Sequence, residues 1–132
     1  MGPLNSGAIQ FILSYANANH IVLISPSSTS ATLAIPNDYL FRTIPNDQQQ
    51  ALADARMIVD NGAKGVIIVQ RHDSYGDSLA SAISARFTAL GGQVIADLQY
   101  DVSTTDFTPV LNALRADFNN NVGVYGAGHI AI

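Results

Sequence analysis

Four consecutive hydroxyl-bearing residues, Ser27, Ser28, Thr29 and Ser30, follow the apolar run Ile21–Val22–Leu23–Ile24 and the turn-forming pair Ser25–Pro26. No charge interrupts them. Hydroxyls and backbone amides gathered where a strand ends can hold a small polar solute without a formal ion pair, because loops at the carboxyl ends of parallel strands are the usual ligand positions of open α/β sheets. The plain alternative is that these side chains only satisfy loop backbone or cap a short helix beginning near Ser30. A second candidate is Ser6 in "PLNSGAI", which opens an amphipathic stretch, with Gly7 leaving its amide accessible. A helix start presents unpaired N–H groups that suit a carboxylate, although Ser6 could equally be an ordinary N-cap. The third is Tyr75 in "RHDSYGDSL", whose ring and hydroxyl could close over a bound solute or merely staple a helix start.

Other chemistries lack their residues. The sequence has no cysteine, no G-x-S-x-G, no Walker pattern and no G-x-G-x-x-G behind a strand, and "GAG" at 126–128 is only a partial match. His20, His72 and His129 stand apart and form no metal-ligand pattern, so no metal or cofactor is expected. Asp73 and Asp77 read more simply as acids complementing a helix start than as a catalytic carboxylate pair. A different class of function, a small α/β hydrolase or transferase using the Ser/Thr cluster with His129, would need an orienting carboxylate that the sequence does not offer.

The elements that must position these residues follow from periodicity. Continuous β-branched runs predict strands at 21–24, 64–69, 93–98 and 122–125. Amphipathic stretches predict helices over about 7–18 (Ile9, Ile12, Leu13 and Ala16 inward), 47–61 (Asn46 as N-cap; Ala51, Ala55, Ile58 and Val59 inward), 75–90 (Leu79, Ile83, Phe87 and Leu90) and 107–118 (Asp106 as N-cap; Val110, Leu111, Leu114 and Phe118). Alternating strands and helices imply an α/β fold of three layers, a mainly parallel sheet with helices on both faces. Residues 34–46, "AIPNDYLFRTIPN", break this rhythm with Pro36 and Pro45 and read as a crossing segment. The chain divides into 1–44, the end of one lobe, and 45–132, most of another, and neither looks like a complete lobe. Unfinished lobes would leave sheet edges and apolar surface exposed, favouring a homo-oligomer or a segment-exchanged dimer.

With 132 residues, 12% of them charged, and a net charge of −4 from six scattered basic residues, the chain is suited to a packed core. It has no basic stripe for nucleic acid. No apolar run approaches the length of a membrane span, and nothing near Met1 has the pattern of an export signal.

The ordered set "GPLNSGA", "LISPSSTSATL", "YLFRTIPNDQQQALA", "RHDSYGDSLA", "LGGQV" and "TDFTPVLNAL" resembles the periplasmic binding protein type I family. The class it is most similar to is that of branched-chain amino acid (Leu/Ile/Val) solute-binding proteins of ABC transporters, with the related ligand-binding regions of receptors. The resemblance covers essentially the whole chain and implies a central piece of a longer two-lobed protein. It implies that Ser6 binds a ligand carboxylate, that Ser27 offers its carbonyl to an ammonium group and Thr29 its hydroxyl and amide, and that Leu4, Asn5 and Ser28 shape the wall. Tyr75 would close from the opposing lobe. The implied ligand is an amino acid or similar small polar solute, and the implied partner of the full-length protein is an ABC permease. The implied location is periplasmic or extracellular, with any signal peptide upstream. Two departures qualify selectivity: the family's acidic partner for the ligand amine lies beyond Ile132, and an aromatic often found near position 128 is Gly128. A truncated lobe pair without ligand affinity is a further alternative.

Overall fold

The computed structural model describes residues 2–132; Met1, at the head of the 1–44 unit, lies outside the described residues. The order is α1 (Ser6–Ala18), β1 (Leu23–Ser25), a single 3-10 turn (Ala31–Leu33), β2 (Leu40–Arg42), α2 (Asp47–Asp60), β3 (Gly65–Arg71), α3 (Ser74–Ala89), β4 (Gln93–Tyr100), α4 (Thr108–Tyr125) and β5 (Ile130–Ala131). Two parallel sheets result, β1-β2 and β4-β3-β5. The extended run inside the crossing segment is β2, paired with β1 from Leu23↔Leu40 to Ser25↔Arg42. The crossing proper is therefore only Thr43 to Asn46.

Each sheet owns a core. Around the first, Ile9, Leu13 and Ala16 of α1 pack on Leu23 and Leu33, with Leu40 beside them. The opposite face carries Ile24 and Phe41, both exposed, so this sheet is covered on one side only. In the second, Val66 meets Ala55 of α2 and the fully buried Phe87 of α3, with Ile58, Val59, Ile68 and Val94 around them. Burying a ring of that size contributes about 2–3 kcal/mol. Strand alternation turns Gly65 to the other face, where an added Cβ would stand 2.7 Å from Ile95 and 3.5 Å from Tyr125 of α4. Helices thus flank the second sheet on both faces, the α/β arrangement expected from the alternation.

The predicted strand at 122–125 is instead the last turn of α4, which runs past the expected end at 118 to Gly126, a residue at φ +84°. Val110, Ala113, Leu114, Asp117, Phe118, Asn121, Val122 and Tyr125 are half-buried, spaced 3 and 4 apart without a break, so the helical stripe captures Val122 and Tyr125. The strand it displaces is the short β5, whose Ile130 pairs with Gly65. Asp106 is one residue too early to be the N-cap, which is Phe107, but it accepts the Thr108 N–H at 2.9 Å. Ile12, Leu90 and Leu111 face solvent rather than the core. In α3 the buried positions are the small Gly76, Ala80 and Ala82 with Phe87.

Candidate functional site

Helix α1 begins because Asn5, extended at φ −115°, turns its carboxamide oxygen back to the Ala8 N–H at 2.7 Å. Asn5 is therefore the N-cap, and Ser6 is the first helical residue, only 2% exposed. Its hydroxyl accepts the Ser30 N–H at 3.2 Å, which joins the start of α1 to the hydroxyl loop after β1. With Asn5 satisfying Ala8, the Ser6 and Gly7 N–H groups point out of the helix end.

The hydroxyl loop divides by direction. Ser25, Ser28 and Ser30 are fully buried. Ser25 and Ser28 stand hydroxyl to hydroxyl at 2.8 Å, and Ser25 donates to the Pro3 carbonyl at 3.0 Å. Ser30 does not cap the 3-10 turn that it precedes; its hydroxyl meets Thr32 at 2.8 Å and Ser74 of α3 at 3.3 Å. Arg42, at the end of β2, donates to the Ser30 carbonyl at 2.8 Å and fixes the loop from behind. Ser27 and Thr29 face the other way. The Ser27 hydroxyl bonds the Leu4 carbonyl, and the Thr29 carbonyl accepts the Asp47 N–H at 2.9 Å. The Thr29 hydroxyl oxygen is shielded from solvent and has no partner among the described residues, an arrangement that costs about 1–3 kcal/mol.

From the second sheet comes the loop after β3. Asp73 caps α3, its Oδ1 accepting the Tyr75 and Gly76 N–H groups at 3.0 and 2.9 Å. Arg71 donates from Nε to Asp73 Oδ2 at 2.6 Å and pairs through Nη2 as well. Partial burial pushes the Asp73 carboxyl up, but the Gly76 N–H, the Arg71 guanidinium and the Tyr75 N–H outweigh it and hold Asp73 below its ordinary range. Beside it, the exposed His72 imidazole meets Asp77 at 3.0 Å, and that hydrogen bond raises its pKa. Asp73 and Asp77 thus serve two different partners and do not form a carboxylate pair.

Leu4, Asn5, Ser6, Ser27 and Thr29 line one hollow of about 210 Å³ together with Tyr75, Gln50 and Arg71. Ser28 is not among its walls. Gln50 and Arg71 are additions that the residue patterns did not single out. Arg71 could have been found as the last residue of a strand whose following loop carries Tyr75. His129 is elsewhere: it precedes β5, and its ring nitrogen stands 2.7 Å from the Gly62 carbonyl. That is the amino end of β3, roughly 20 Å from Arg71 at about 3.3 Å per strand residue, so the serine-histidine pairing considered for a hydrolase is not assembled. Among the described residues no group of three potential ligands could hold a metal ion, and no helix is long and apolar enough to cross a membrane.

Comparison with known proteins bears on the whole chain. The family model described as "Periplasmic binding protein" matches residues 1–131. An uncharacterized protein of Methanocaldococcus jannaschii is 33% identical over 138 aligned positions, covering 98% of this chain and 33% of that protein. The chemotactic signal transduction system substrate-binding protein BasB of Halobacterium salinarum is 31% identical, covering 89% of this chain and 30% of its own length. Among solved structures, a leucine binding protein from Thermotoga maritima superposes with a TM-score of 0.81 at 25% identity, over 88% of this chain and 33% of that one. An ABC transporter substrate-binding protein from Desulfitobacterium hafniense in complex with Leu gives 0.70 at 28% identity, over 90% of this chain and 35% of that one. The chain therefore spans about a third of the length of the relatives it matches.

Proposed function

This chain belongs to the periplasmic binding protein family, and from that premise we propose that it carries the inner faces of a solute cleft for an amino acid or a similar small polar solute. Residues 2–44 would contribute one lobe face and residues 45–132 the other. The family is of solute-binding type, and in this reading the chain makes and breaks no bond. Ser6 and the open N–H groups of α1 would take the carboxylate, and Thr29 and the Ser27 carbonyl the remaining polar atoms. Tyr75 would close from the second unit as the two units approach. The whole protein would work outside the cytoplasmic membrane with an ABC permease or a sensory partner.

One observation carries the reading. Leu4, Asn5, Ser6, Ser27 and Thr29 share a hollow with Tyr75, although they belong to elements packed around two different sheets and are separated by up to 71 positions in sequence. Thr29 lines that space as a residue, although its unpartnered hydroxyl is shielded from solvent and would have to turn outward to meet a solute. Ser28, buried against Ser25, would support the loop from within instead of touching the solute.

Isothermal titration calorimetry of the chain against the L-amino acids and small carboxylic acids tests this. Saturable binding is expected, weakened at least tenfold by Ser6→Ala and by Thr29→Val. A chain that folds but gives no heat with any of these solutes would be a lobe pair without affinity, and the proposal would fall.

A further inference from the structure

The hollow holds one formally charged side chain, Arg71. Its side chain is 42% exposed, and its guanidinium is steered by Asp73, which takes one hydrogen each from Nε and Nη2. Five N–H donors minus those two leaves three, on Nη1 and Nη2, without a carboxylate partner. We propose that Arg71 is the specificity-determining residue of this site and that it selects solutes with two carboxylates, one for the Ser6 end of α1 and one for the guanidinium. The inference rests on the solute-binding reading and names its substrate class.

Charge and space agree on this class. A volume of about 210 Å³ corresponds to roughly seven waters at about 30 Å³ each, room for a compact diacid. The other walls are hydroxyls, amides, one leucine and one tyrosine, and none of them is an acid; the carboxylate that does meet the guanidinium, Asp73, lies outside the lining and leaves three donors for a solute to compete for. Arg presents parallel donors that match a carboxylate in two-point geometry, which a Lys cannot do. Arg71 and Tyr75 also line the neighbouring groove of about 410 Å³, whose other walls include Ile68, Leu79, Ile83 and Tyr100. A branched aliphatic solute reaching toward that groove must pass the guanidinium and strip its water without replacing the lost hydrogen bonds. The same side chain therefore favours a diacid and penalises an aliphatic solute, the two components of discrimination.

A purely structural Arg71 is the competing account, since it buttresses the Asp73 cap. That cap already receives two backbone N–H groups, so an anchoring role alone would affect every solute equally.

The experiment is calorimetry on the chain and on Arg71→Gln and Arg71→Lys, with L-glutamate, succinate, L-glutamine and L-leucine as probes and a thermal melt of each variant as folding control. Glutamate or succinate should bind at least tenfold more tightly than glutamine and leucine. Arg71→Gln should remove that preference by lowering acid affinity tenfold or more while changing glutamine less than threefold, and Arg71→Lys, which keeps the charge without the fork, should fall between. Leucine or glutamine bound as tightly as glutamate by the unaltered chain, or a uniform loss across all four probes in Arg71→Gln, overturns the selectivity proposal and leaves solute binding standing. No binding by any solute overturns both.

Discussion

The loop that leaves β1 at Ser25 is held by hydroxyls, amides and carbonyls with the Arg42 guanidinium donating from behind, whereas the loop that leaves β3 at Arg71 is held by an ion pair and a carboxylate cap. Both run from the carboxyl end of a parallel strand toward a helical segment, and both reach the same hollow. In the first, Ser25, Ser28 and Ser30 are consumed as scaffold, fully buried and bonded to one another and to Pro3, Thr32 and Ser74. In the second, His72 and Arg71 stay exposed and each engages one aspartate. A run of hydroxyl residues is therefore not a run of ligand groups: only Ser27 and Thr29 face the hollow, and the others set the shape of the wall. The charged loop carries its ion pair open to solvent, so proton and salt concentrations act on it more than on its neutral counterpart, whose one charged contact is the part-buried Arg42 guanidinium on carbonyl oxygens.

Crowding the charged loop should have the largest effect. Gly76 lies so close to the strand end that an added Cβ would sit 1.9 Å from the Arg71 carbonyl oxygen and 2.9 Å from Gln70 Oε1. Backbone cannot yield as a flexible side chain can, so Gly76→Ala should lose about 3 kcal/mol or more in urea unfolding. A loss under about 0.5 kcal/mol, no more than an ordinary surface change, would mean that this loop is softer than the neutral one.

Removing the cap comes next. Asp73→Ala deletes two backbone acceptor contacts and the partner of Arg71 and should cost about 1–2 kcal/mol. Because its folded-state pKa is lowered, the Asp73 contribution is complete above about pH 4, where the unfolded side chain is also ionised, and is lost as pH falls through the lower folded value. Denaturation midpoints followed from pH 5 to pH 2 should therefore fall more steeply for the unaltered chain than for Asp73→Ala. Parallel curves would remove the electrostatic half of the comparison. The smallest effect belongs to the neutral loop: Ser28→Ala breaks the buried pair with Ser25 and should cost about 1 kcal/mol. The penalty should be the same at pH 4 and pH 7, and a pH-dependent one would show that the two loops are coupled.

Which parts of this architecture could be read from residues alone follows from how local their causes are. Helices α1, α2 and α3 announce themselves by apolar spacing and by caps such as Asn46 and the φ +84° of Gly62. The end of α4 does not, because Val122 and Val124 are good strand residues and only the half-buried stripe through Tyr125, set by the sheet beneath, keeps them helical. Buried Ala80 and Ala82 are silent for a related reason: a small residue gives little hydrophobic signal, and what buries it is the close approach of its neighbours. At the site, Ser6 and Thr29 are visible as residue types at loop positions. The arrival of Gln50 and Arg71 beside Ser27 and Thr29 spans 21 or more positions, which no spacing rule encodes, and the inward turn of Ser28 is fixed by its pairing with the buried Ser25. Asn5 rather than Ser6 as the cap of α1 is a one-residue ambiguity between two good capping types, resolved by which side chain the turn can fold back.

The hydroxyl loop also joins the two sheets. Thr29 O accepts from Asp47 N at 2.9 Å, Ser30 meets Ser74 at 3.3 Å, and Ala31 N donates to Ser78 Oγ at 2.9 Å. None of the bonding atoms in this seam carries a net charge, so added salt has nothing there to screen, while the guanidinium across the hollow feels it within a Debye length of about 8–10 Å. Ionic strength would thus be a dial that turns down one wall's attraction for the proposed guest and leaves the stitching between the two halves largely untouched.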